Sequence, residues 1–266
     1  MDSSSRLRGL LRARGPEWPA PIEYLESAAS TNDVLKGRAR EGAAEWSVVI
    51  AARQTAGRGR HGRVWISAPG NLYLSVLLRP ALPRESLGVL PLAAGLAVCR
   101  AVSEFGVAAE LKWPNDVLVR GRKLAGVLVE ATSAGRGIES AVVGIGINVG
   151  LVSEELPPED AERVTSIAAE TGAVAETLGV ASAVLARLSV CYDALAREGP
   201  AAVVQAWLRH AVTWWGRPVE VRGDGYTLRG IARGVDEGGA LLVEDAAGHL
   251  VPVLSGEVSA LRLSQP

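Results

Sequence analysis

The sequence predicts an α+β protein in which a mixed or antiparallel sheet flanked by helices is followed by a small all-β barrel. Two observations predict this fold class. Over most of the chain, segments with apolar residues at helical spacing are interspersed with short segments of period two. After Gly216 the pattern changes to short strands separated by Gly and Asp turns, which is typical of a barrel of about 50 residues. We therefore expect two domains, residues 1–215 and residues 216–266.

The elements of the first 106 residues follow from periodicity and stop signals. Four elements are expected here: a helix over residues 30–42, strands over residues 46–54 and 72–79, and an apolar helix over residues 86–105. Ser30 or Thr31 would cap the first helix, because a hydroxyl can accept from a free backbone N–H at a helix start. Gly42 and Gly106 would end the two helices.

The next residues are expected to form a strand meander followed by helices. The expected elements are strands over residues 110–119, 123–130 and 140–149, and two or three helices between residues 159 and 212. A tight turn at Gly121 would join the first two strands and bring Lys123 close to residues 117–119. Gly172 and the Gly199-Pro200 pair would separate the helices.

Composition excludes several classes of protein. The chain has 266 residues, is 48% hydrophobic and carries a formal charge of −1, so it can bury a core and has no bulk attraction to nucleic acid or an anionic membrane. Its arginine-interrupted N-terminus is unlike a secretory signal, and no later stretch is expected to be long enough to span a bilayer. Cys99 and Cys191 fit buried thiols in a reducing compartment. We expect a soluble, cytoplasmic protein.

Lysine and asparagine are rare in this chain, which makes each occurrence informative. Of 28 basic residues only three are Lys, and Asn occurs four times: Lys36, Lys112 and Lys123; Asn32, Asn71, Asn115 and Asn148. A bias toward Arg would leave Lys mainly where a compact, flexible ammonium is required, because Arg is a rigid planar fork. Chance placement is the competing explanation for any one of them.

A cationic loop lies between the first two predicted strands. Residues 46–84 contain no Asp or Glu, and residues 57–65 read GRGRHGRVW. Glycine permits close approach of backbone amides to an anion, and guanidinium groups can clamp its oxygens. The pattern therefore predicts a phosphate-binding loop, and it differs from a dinucleotide-binding loop because a strand follows it rather than a helix. A flexible loop that binds nothing, or binds RNA, is the alternative.

Two further segments break the folding pattern where polar chemistry would be useful. Lys112-Trp113-Pro114-Asn115-Asp116 interrupts a strand-like run, and Pro114 predicts an edge or a bulge because it cannot donate a ladder hydrogen bond. In the strands over residues 123–130 and 140–149, glycines would expose bare backbone to a flat or bulky ligand. Taken alone, Lys123 could equally be a lysine of an exposed turn.

Together these segments closely resemble the biotin protein ligases, also known as biotin-[acetyl-CoA-carboxylase] ligases. The resembling motifs are SerThrAsn at 30–32, GRGRHGRVW at 57–65, KWPNDV at 112–117, KLAGVLVE at 123–130 and GIGINV at 144–149. The resemblance continues through GRPVEV, GIARGVDEGGALLVE and SGEVSALRL, which look like the family's SH3-like domain, and it covers residues 23–263. It implies a catalytic domain over residues 1–215 and an SH3-like domain over residues 216–266.

The resemblance also implies the site residues. Those implied for biotin are Ser30, Thr31, Asn32, Gln54, Arg58, Gly59, Arg60 and Lys123. Those implied for ATP or the adenylate are Gly57, Arg58, Arg60, Arg63, Trp65, Lys112, Asn115, Lys123 and Asn148. Those implied for catalysis are Lys123, Arg58, Arg60 and Asp116. In the family's pattern, Ser30, Thr31 and Gln54 would hydrogen-bond the biotin ureido ring with support from Asn32, and Asn148 would lie at the adenine.

The implied reaction has two steps. The biotin carboxylate would attack the α-phosphorus of ATP and release pyrophosphate, with Arg58, Arg60, Lys123 and Mg²⁺ neutralising the two anions. A lysine amine of a biotin carboxyl carrier protein, such as that of acetyl-CoA carboxylase, would then take biotin from biotinyl-5'-AMP, with Asp116 as orienter or proton acceptor. No dedicated metal site is implied, and Mg²⁺ would arrive with the ATP phosphates near Asn115 and Asp116.

Alternative functions remain open at this stage. A lipoate or octanoate transfer enzyme shares the chemistry, although the KWPND segment and the C-terminal barrel favour biotin. A non-catalytic biotin or nucleotide sensor is disfavoured by Lys112 and Lys123, because binding alone would tolerate Arg. Only 29 residues precede Ser30, fewer than the roughly 50 that a helix-turn-helix domain needs, so we expect the short form without a DNA-binding domain. No nucleic acid or membrane partner is expected, and monomer and homodimer both remain open.

Overall fold

The computed structural model describes residues 2–15, 17–134, 137–150, 161–223 and 225–260. It has a mixed α/β architecture with one mixed sheet, helices against it, and a separate antiparallel sheet near the C-terminus. The expected α+β class is therefore confirmed. The ends of two predicted segments, residues 159–160 and 261–263, lie outside the described residues.

A seven-stranded sheet forms the centre of the larger part. Its strands are β1 (Ile22–Leu25), β2 (Val48–Ala51), β3 (Leu72–Leu78), β4 (Glu110–Lys112), β5 (Asp116–Val119), β6 (Arg122–Ala134) and β7 (Gly137–Ile147). The order is β1-β2-β3-β7-β6-β5-β4. The β1–β2 pair is parallel and every other neighbouring pair is antiparallel. This sheet is mixed, as expected.

Helices cover the sheet unequally. The helices are α1 (Ser3–Arg14), α2 (Thr31–Arg40), α3 (Val89–Ser103), α4 (Ile167–Thr171), α5 (Thr177–Glu198) and α6 (Pro200–Leu208). Helices α1, α3, α5 and α6 pack together, and α3 covers one face of the sheet, where the main core lies. Helix α2 packs on the other face over Leu77 and Val142, which belong to a small second cluster.

Strand β3 is buried on both faces. All seven of its residues are buried. Leu72, Leu74, Val76 and Leu78 belong to the main core, while Leu77 belongs to the cluster under α2. Tyr73 and Ser75 share the face of Leu77, because successive side chains of a strand point to opposite faces. Alternate residues of β3 therefore pack into two different layers, one on each face of the sheet.

One strand expectation was wrong in the larger part, and two elements, α1 and β1, were not anticipated. The strand expected over residues 110–119 is a hairpin, in which Leu111 of β4 pairs with Val117 of β5. Pro114 lies in the turn between them, where its missing N–H costs no ladder bond, and β4 is the edge strand of the sheet. Helix α1 was not anticipated, and its Leu7 and Leu11 are buried.

Two helical segments, Arg84–Ser103 and Thr177–Glu198, are long and apolar enough to cross a membrane by length and composition. The expectation that no stretch has this length was therefore wrong. In the structure, 67% and 56% of their most apolar windows are buried inside the protein. Core helices of soluble proteins pass the same length and composition test, so the two segments are weak evidence for a membrane.

The C-terminal part is a five-stranded antiparallel sheet. Its strands are β8 (Pro218–Gly223), β9 (Tyr226–Val235), β10 (Leu241–Glu244), β11 (Leu250–Val253) and β12 (Glu257–Ala260), in the order β11-β10-β9-β8-β12. Among the described residues, no ladder joins β11 to β12 and closes the sheet. Trp113 fixes this sheet to the larger part, because its buried indole Nε1–H donates to Gly239 O at 2.9 Å.

Candidate active site

An open cavity of about 960 Å³, its mouth included, lies on the face of the large sheet that carries α2. Its floor consists of strand positions without side chains. Gly146 pairs with Gly126 on one side and with Tyr73 on the other, and Gly144 pairs with Ser75. A Cβ on Gly146 would lie 2.6 Å from Cε2 of the Trp65 ring. The glycines of the GIGIN strand therefore allow other side chains to approach the sheet.

The cavity collects most of the residues that the sequence singled out. It is lined by 13 of them: Ser30, Thr31, Asn32, Gln54, Arg58, Gly59, Arg60, Arg63, Trp65, Lys112, Asn115, Asp116 and Lys123. They come from the start of α2, the arginine loop (residues 57–65) with the preceding Gln54, the β4–β5 hairpin and the start of β6. Residues far apart in sequence thus meet at one place.

The start of α2 forms one end of the cavity. Ser30 is the N-cap, but its side chain makes no capping hydrogen bond. Gln54 Oε1 accepts from the Thr31 backbone N–H at 2.9 Å and lies 3.2 Å from Thr31 Oγ1. The Gln54 amide nitrogen donates to Ser67 Oγ at 3.1 Å, which fixes the orientation of the amide. This end offers small, buried hydroxyl and amide groups suited to a neutral polar ring.

The arginine loop lies across the cavity, and its cations contact three different parts of the chain. Arg58 forms a bidentate pair with Asp33 of α2 at 2.5 and 2.6 Å, which holds the pKa of Asp33 well below its usual range. Arg60 donates to Asn115 Oδ1 at 3.3 Å and to Ser255 Oγ at 2.8 Å. Each of these contacts uses donors that could also bind phosphate oxygens.

Lys123 and Asp116 form an ion pair at the other end of the cavity. Lys123 Nζ lies 2.6 Å from Asp116 Oδ1 and 5.3 Å from the centroid of the Trp65 ring. As predicted, the hairpin turn brings Lys123 opposite Leu118. An ammonium next to a carboxylate can neutralise a substrate anion and can also leave an acceptor for an incoming proton.

Asn115 and Lys112 extend this end of the cavity. Asn115 Nδ2 donates to Val127 O at 2.7 Å, so its amide oxygen faces Arg60. Lys112 Nζ lies 5.5 Å from the centroid of the Trp214 ring. The rare lysines at 112 and 123 therefore both line the cavity. Lys36, on α2, pairs with Asp33 of the same helix and with Glu130 of β6.

Trp65 carries an unsatisfied polar group. Its Nε1 is buried and has no hydrogen-bond partner among the described residues. Its ring lies against Gly126 and Gly146. Buried N–H groups are nearly always paired in native proteins, so this one is a candidate donor to a ligand.

The C-terminal sheet also contributes to the cavity, which the sequence did not reveal. Gly256, Glu257 and Val258 line it, and Glu257 forms an ion pair with Arg63. The hydrogen bond from Arg63 lowers the pKa of the Glu257 carboxyl. The SGEV segment carries no pattern that distinguishes a cavity wall from a strand start, so only the folded structure identifies it.

Two expected residues do not line the cavity. Gly57 lies where a Cβ would be 2.5 Å from Trp65 O, so it permits the close packing of the loop. Asn148 donates from Nδ2 to Thr165 O at 3.0 Å and to Lys123 O at 3.4 Å. Both residues support the cavity wall in the structure, and their contacts with a nucleotide stay a prediction.

Comparison with known proteins gives a consistent result. Residues 24–148 match the biotin/lipoate A/B protein ligase family, and residues 215–261 match the biotin protein ligase C-terminal domain. A biotin--[acetyl-CoA-carboxylase] ligase of Mycobacterium tuberculosis is 36% identical over 263 residues, covering 96% of this chain and 94% of the relative. The bifunctional ligase/repressor BirA of Escherichia coli is 34% identical over 241 residues, covering 90% and 73%.

Solved structures agree with the sequence relatives. The biotin protein ligase from Aquifex aeolicus in complex with biotin and ATP has a TM-score of 0.77 to this chain at 33% identity, covering 91% of this chain and 99% of that one. The enzyme from Leishmania major in complex with biotinyl-5-AMP has a TM-score of 0.61 at 29% identity, covering 88% and 99%. By sequence, by fold and by the side chains in its cavity, this chain belongs to the biotin protein ligase family and is a ligase.

Proposed function

We propose that this ligase activates biotin with ATP to biotinyl-5'-AMP and transfers the biotinyl group to a lysine of a biotin carboxyl carrier protein, such as that of acetyl-CoA carboxylase. The observation that carries the proposal is the single cavity that joins a neutral polar end, a row of arginines and the Lys123–Asp116 pair.

The neutral end suits the ureido ring of biotin. Ser30, Thr31 and Gln54 present hydroxyl and amide groups there. Gly144 lets Asn32 lie close against the sheet beside them. The cations nearest the start of α2, Arg58 and Lys36, are both paired with Asp33. The ring would therefore bind here, with the valeryl tail directed toward Lys123.

The cationic centre suits adenylation. A carboxylate oxygen of biotin attacks the α-phosphorus of ATP, and the bond from that phosphorus to the pyrophosphate oxygen breaks. The biotin carboxylate and the ATP phosphate are both anions. Lys123, Arg58 and Arg60 are already held at the cavity, so they would lower the barrier by offsetting the repulsion between the two anions. The Trp65 Nε1–H would donate to the nucleotide or to the tail of the intermediate.

Magnesium would enter with the nucleotide. Among the described residues, no group of three or more His, Cys, Asp or Glu side chains is arranged to hold a metal ion. Mg²⁺ usually keeps several waters and takes one or two protein oxygens together with substrate phosphates. Asn115 Oδ1 and the Asp116 carboxylate, which adjoin Arg60 and Lys123, would supply those oxygens.

The second step requires a neutral amine at the intermediate. The carrier lysine nitrogen attacks the carbonyl carbon of the mixed anhydride, the bond from that carbon to the AMP oxygen breaks, and the amine loses a proton. Asp116 is the carboxylate paired with Lys123 in the cavity, and it bonds to Lys123 through Oδ1. It would orient the amine and take its proton.

The test measures both substrates and product. Titration calorimetry with biotin and with lipoate is followed by incubation with ATP, Mg²⁺, biotin and an apo carrier domain, and the carrier mass is measured. We expect biotin to bind, lipoate not to bind, and the carrier to gain one biotinyl group. A carrier whose acceptor lysine is replaced by Arg serves as the control and should gain nothing.

Other outcomes would contradict the proposal in distinct ways. Preference for lipoate would assign the chain to lipoyl transfer, which the broader family description also includes. Biotin binding without any modification of the carrier would indicate a sensor. A cytoplasmic location is part of the same proposal, since ATP and newly made carrier are present there.

A further inference from the structure

A chain of hydrogen bonds runs from Glu130 on β6, whose side chain is partly exposed, to the buried Thr31 at the neutral end of the cavity. Glu130 Oε2 accepts from Asn32 Nδ2 at 2.7 Å. Asn32 Oδ1 lies 2.6 Å from Ser75 Oγ, which in turn lies 2.8 Å from Thr31 Oγ1. Asn32, Ser75 and Thr31 are at most 4% exposed, so water does not compete for these bonds.

The carboxylate sets the direction of the first bond. An ionised Glu130 can only accept, so the amide nitrogen of Asn32 must face it, and Leu128 O accepts the other N–H at 3.4 Å. Burial acts to raise the pKa of Glu130, but hydrogen bonds from Lys36 and Asn32 outweigh it, and the pKa is lowered. Glu130 is therefore ionised at neutral pH.

The direction propagates to the cavity. Because Asn32 Nδ2 faces Glu130, its oxygen faces Ser75, and the single hydroxyl proton of Ser75 must be donated to that oxygen. Ser75 then offers only lone pairs to Thr31. The Thr31 proton is donated inward, either to Ser75 Oγ at 2.8 Å or to Gln54 Oε1 at 3.2 Å.

We propose that Glu130 is a positioning residue that makes the Thr31 hydroxyl a hydrogen-bond acceptor toward the ligand and thereby selects a ring with an N–H at that point. The inference rests on the proposed function, because biotin supplies two ureido N–H groups. Glu130 itself does not line the cavity, and it acts through Asn32 and Ser75.

The substitution Glu130→Gln should reverse the chain. Lys36 Nζ donates to Glu130 Oε1 at 2.6 Å, and it would take the only oxygen of the new amide. The amide nitrogen would then face Asn32, whose oxygen would turn toward it. Ser75 would accept from Asn32 and donate to Thr31. The Thr31 proton would then lose Ser75 as an acceptor and would be shared between the ligand and Gln54 Oε1, which lies 3.2 Å away and already accepts from the Thr31 N–H.

The test changes one residue of the protein and one group of the ligand, separately and together, and compares the four affinities. Binding is measured for biotin and for the two cyclic carbamates in which one ureido N–H is replaced by oxygen. In the unmodified protein we expect the weaker carbamate to bind about 10- to 100-fold less tightly than biotin, because two acceptors then face each other. In Glu130→Gln this ratio should fall to about threefold or less, since Thr31 can donate to the carbamate oxygen.

Two further variants separate this role from a structural one. Ser75→Ala cuts the chain without touching Glu130 and should also reduce the ratio. Lys36→Met removes the nearer of the two cations beside Glu130, leaves Arg58 at 3.7 Å and keeps the bond to Asn32, so it should keep the ratio of the unmodified protein. A general loss of order would weaken biotin and both carbamates alike and would leave the ratio unchanged.

The outcomes distinguish this inference from the function on which it rests. A ratio that stays at its original value in both Glu130→Gln and Ser75→Ala, while biotin still binds the unmodified protein, would overturn only the role of Glu130. Equal binding of biotin and both carbamates by the unmodified protein would do the same. Failure of the unmodified protein to bind biotin would overturn both.

Discussion

Single residues carry the chemistry of this site, and rare residue types were the best guide to them. Lys112 and Lys123 are two of only three lysines, and both line the cavity. Asn32 and Asn115 also line it, whereas Asn148 and Asn71 bond to backbone groups outside it. A residue that a biased composition does not supply by chance is retained for its chemistry, and that rule worked for lysine better than for asparagine.

The first prediction at this scale concerns Lys123. Lys123→Gln removes the ammonium that pairs with Asp116 at 2.6 Å without opening a large cavity. We expect biotinyl-5'-AMP formation to slow by about 100-fold or more, since one electrostatic contact to a developing charge is worth about that much. Pyrophosphate release under saturating ATP and biotin measures it. Arg120→Gln, an exposed charge in the preceding turn, is the control, and a near-normal rate for Lys123→Gln would refute its role.

The second prediction concerns the glycine floor. Gly146→Ala places a methyl group 2.6 Å from the Trp65 ring, so the indole must move away from the sheet. We expect ATP to bind about tenfold more weakly, because overpacking costs about 1–3 kcal/mol. The KM for ATP reports this change. Gly37→Ala in α2, where a methyl group meets open space, should leave the KM unchanged; a shift there as large as in Gly146→Ala would contradict the explanation.

Some residue roles could not be predicted from the sequence. Glu130 ends the KLAGVLVE motif and Asp33 follows SerThrAsn, yet neither showed a pattern that marked it as a partner of Asn32 or Arg58. Their roles depend on which strand lies next to α2, and strand order is not encoded in local periodicity.

Among the elements, helices with clear start and stop residues were predicted correctly, whereas the β4–β5 hairpin, which depends on strand pairing, was not. The helix over residues 30–42 is observed as Thr31–Arg40, and the breaks at Gly172 and Gly199 are confirmed. The β4–β5 hairpin was expected as one strand, because its residues are apolar on both sides of a short turn. Only the antiparallel pairing of Leu111 with Val117 separates the two strands.

The arginine loop is the element whose function is most directly testable. Arg60→Ala removes a cation that Asn115 and Ser255 hold at the cavity. We expect the adenylate to dissociate about tenfold faster or more, since a hydrogen bond from a charged group contributes about 1.5–3 kcal/mol, while biotin alone binds nearly as before. Release of labelled biotinyl-5'-AMP and calorimetry with biotin measure the two effects.

Arg53, which lies in the same segment without Asp or Glu (residues 46–84), provides the control for Arg60→Ala. Arg53 is exposed and does not line the cavity, so Arg53→Ala should change neither measurement. Equal losses of biotin and adenylate affinity in Arg60→Ala would count against the loop as a phosphate clamp.

At the scale of the whole molecule, the C-terminal sheet completes the cavity that the larger part begins. Trp113 joins them, since it lines the cavity and also donates to Gly239 O at 2.9 Å. The boundary at residue 216 stays a prediction, and the sequence did not reveal that Gly256 and Glu257 line the cavity together with the arginine loop. The relative placement of two units depends on long-range contacts, which a single sequence does not display.

Trp113→Phe tests this connection. It should lower the free energy of unfolding by about 1–3 kcal/mol, because Gly239 O loses its buried donor, and it should raise the KM for ATP. Trp18→Phe removes a comparable bond, Nε1 to Trp46 O at 2.9 Å, away from the cavity. It should lower stability in urea without changing the KM. An equal change of the KM for ATP in both variants would contradict a specific effect of the Trp113–Gly239 bond on the cavity.

The most direct test of the central claim is pyrophosphate release from ATP in the absence of any carrier protein. We predict a rapid release of about one pyrophosphate per protein molecule that requires biotin and then stops, because the adenylate stays bound between the arginine loop and Lys123. Release that is absent, or that proceeds equally well without biotin, would contradict the claim that this cavity joins biotin to AMP.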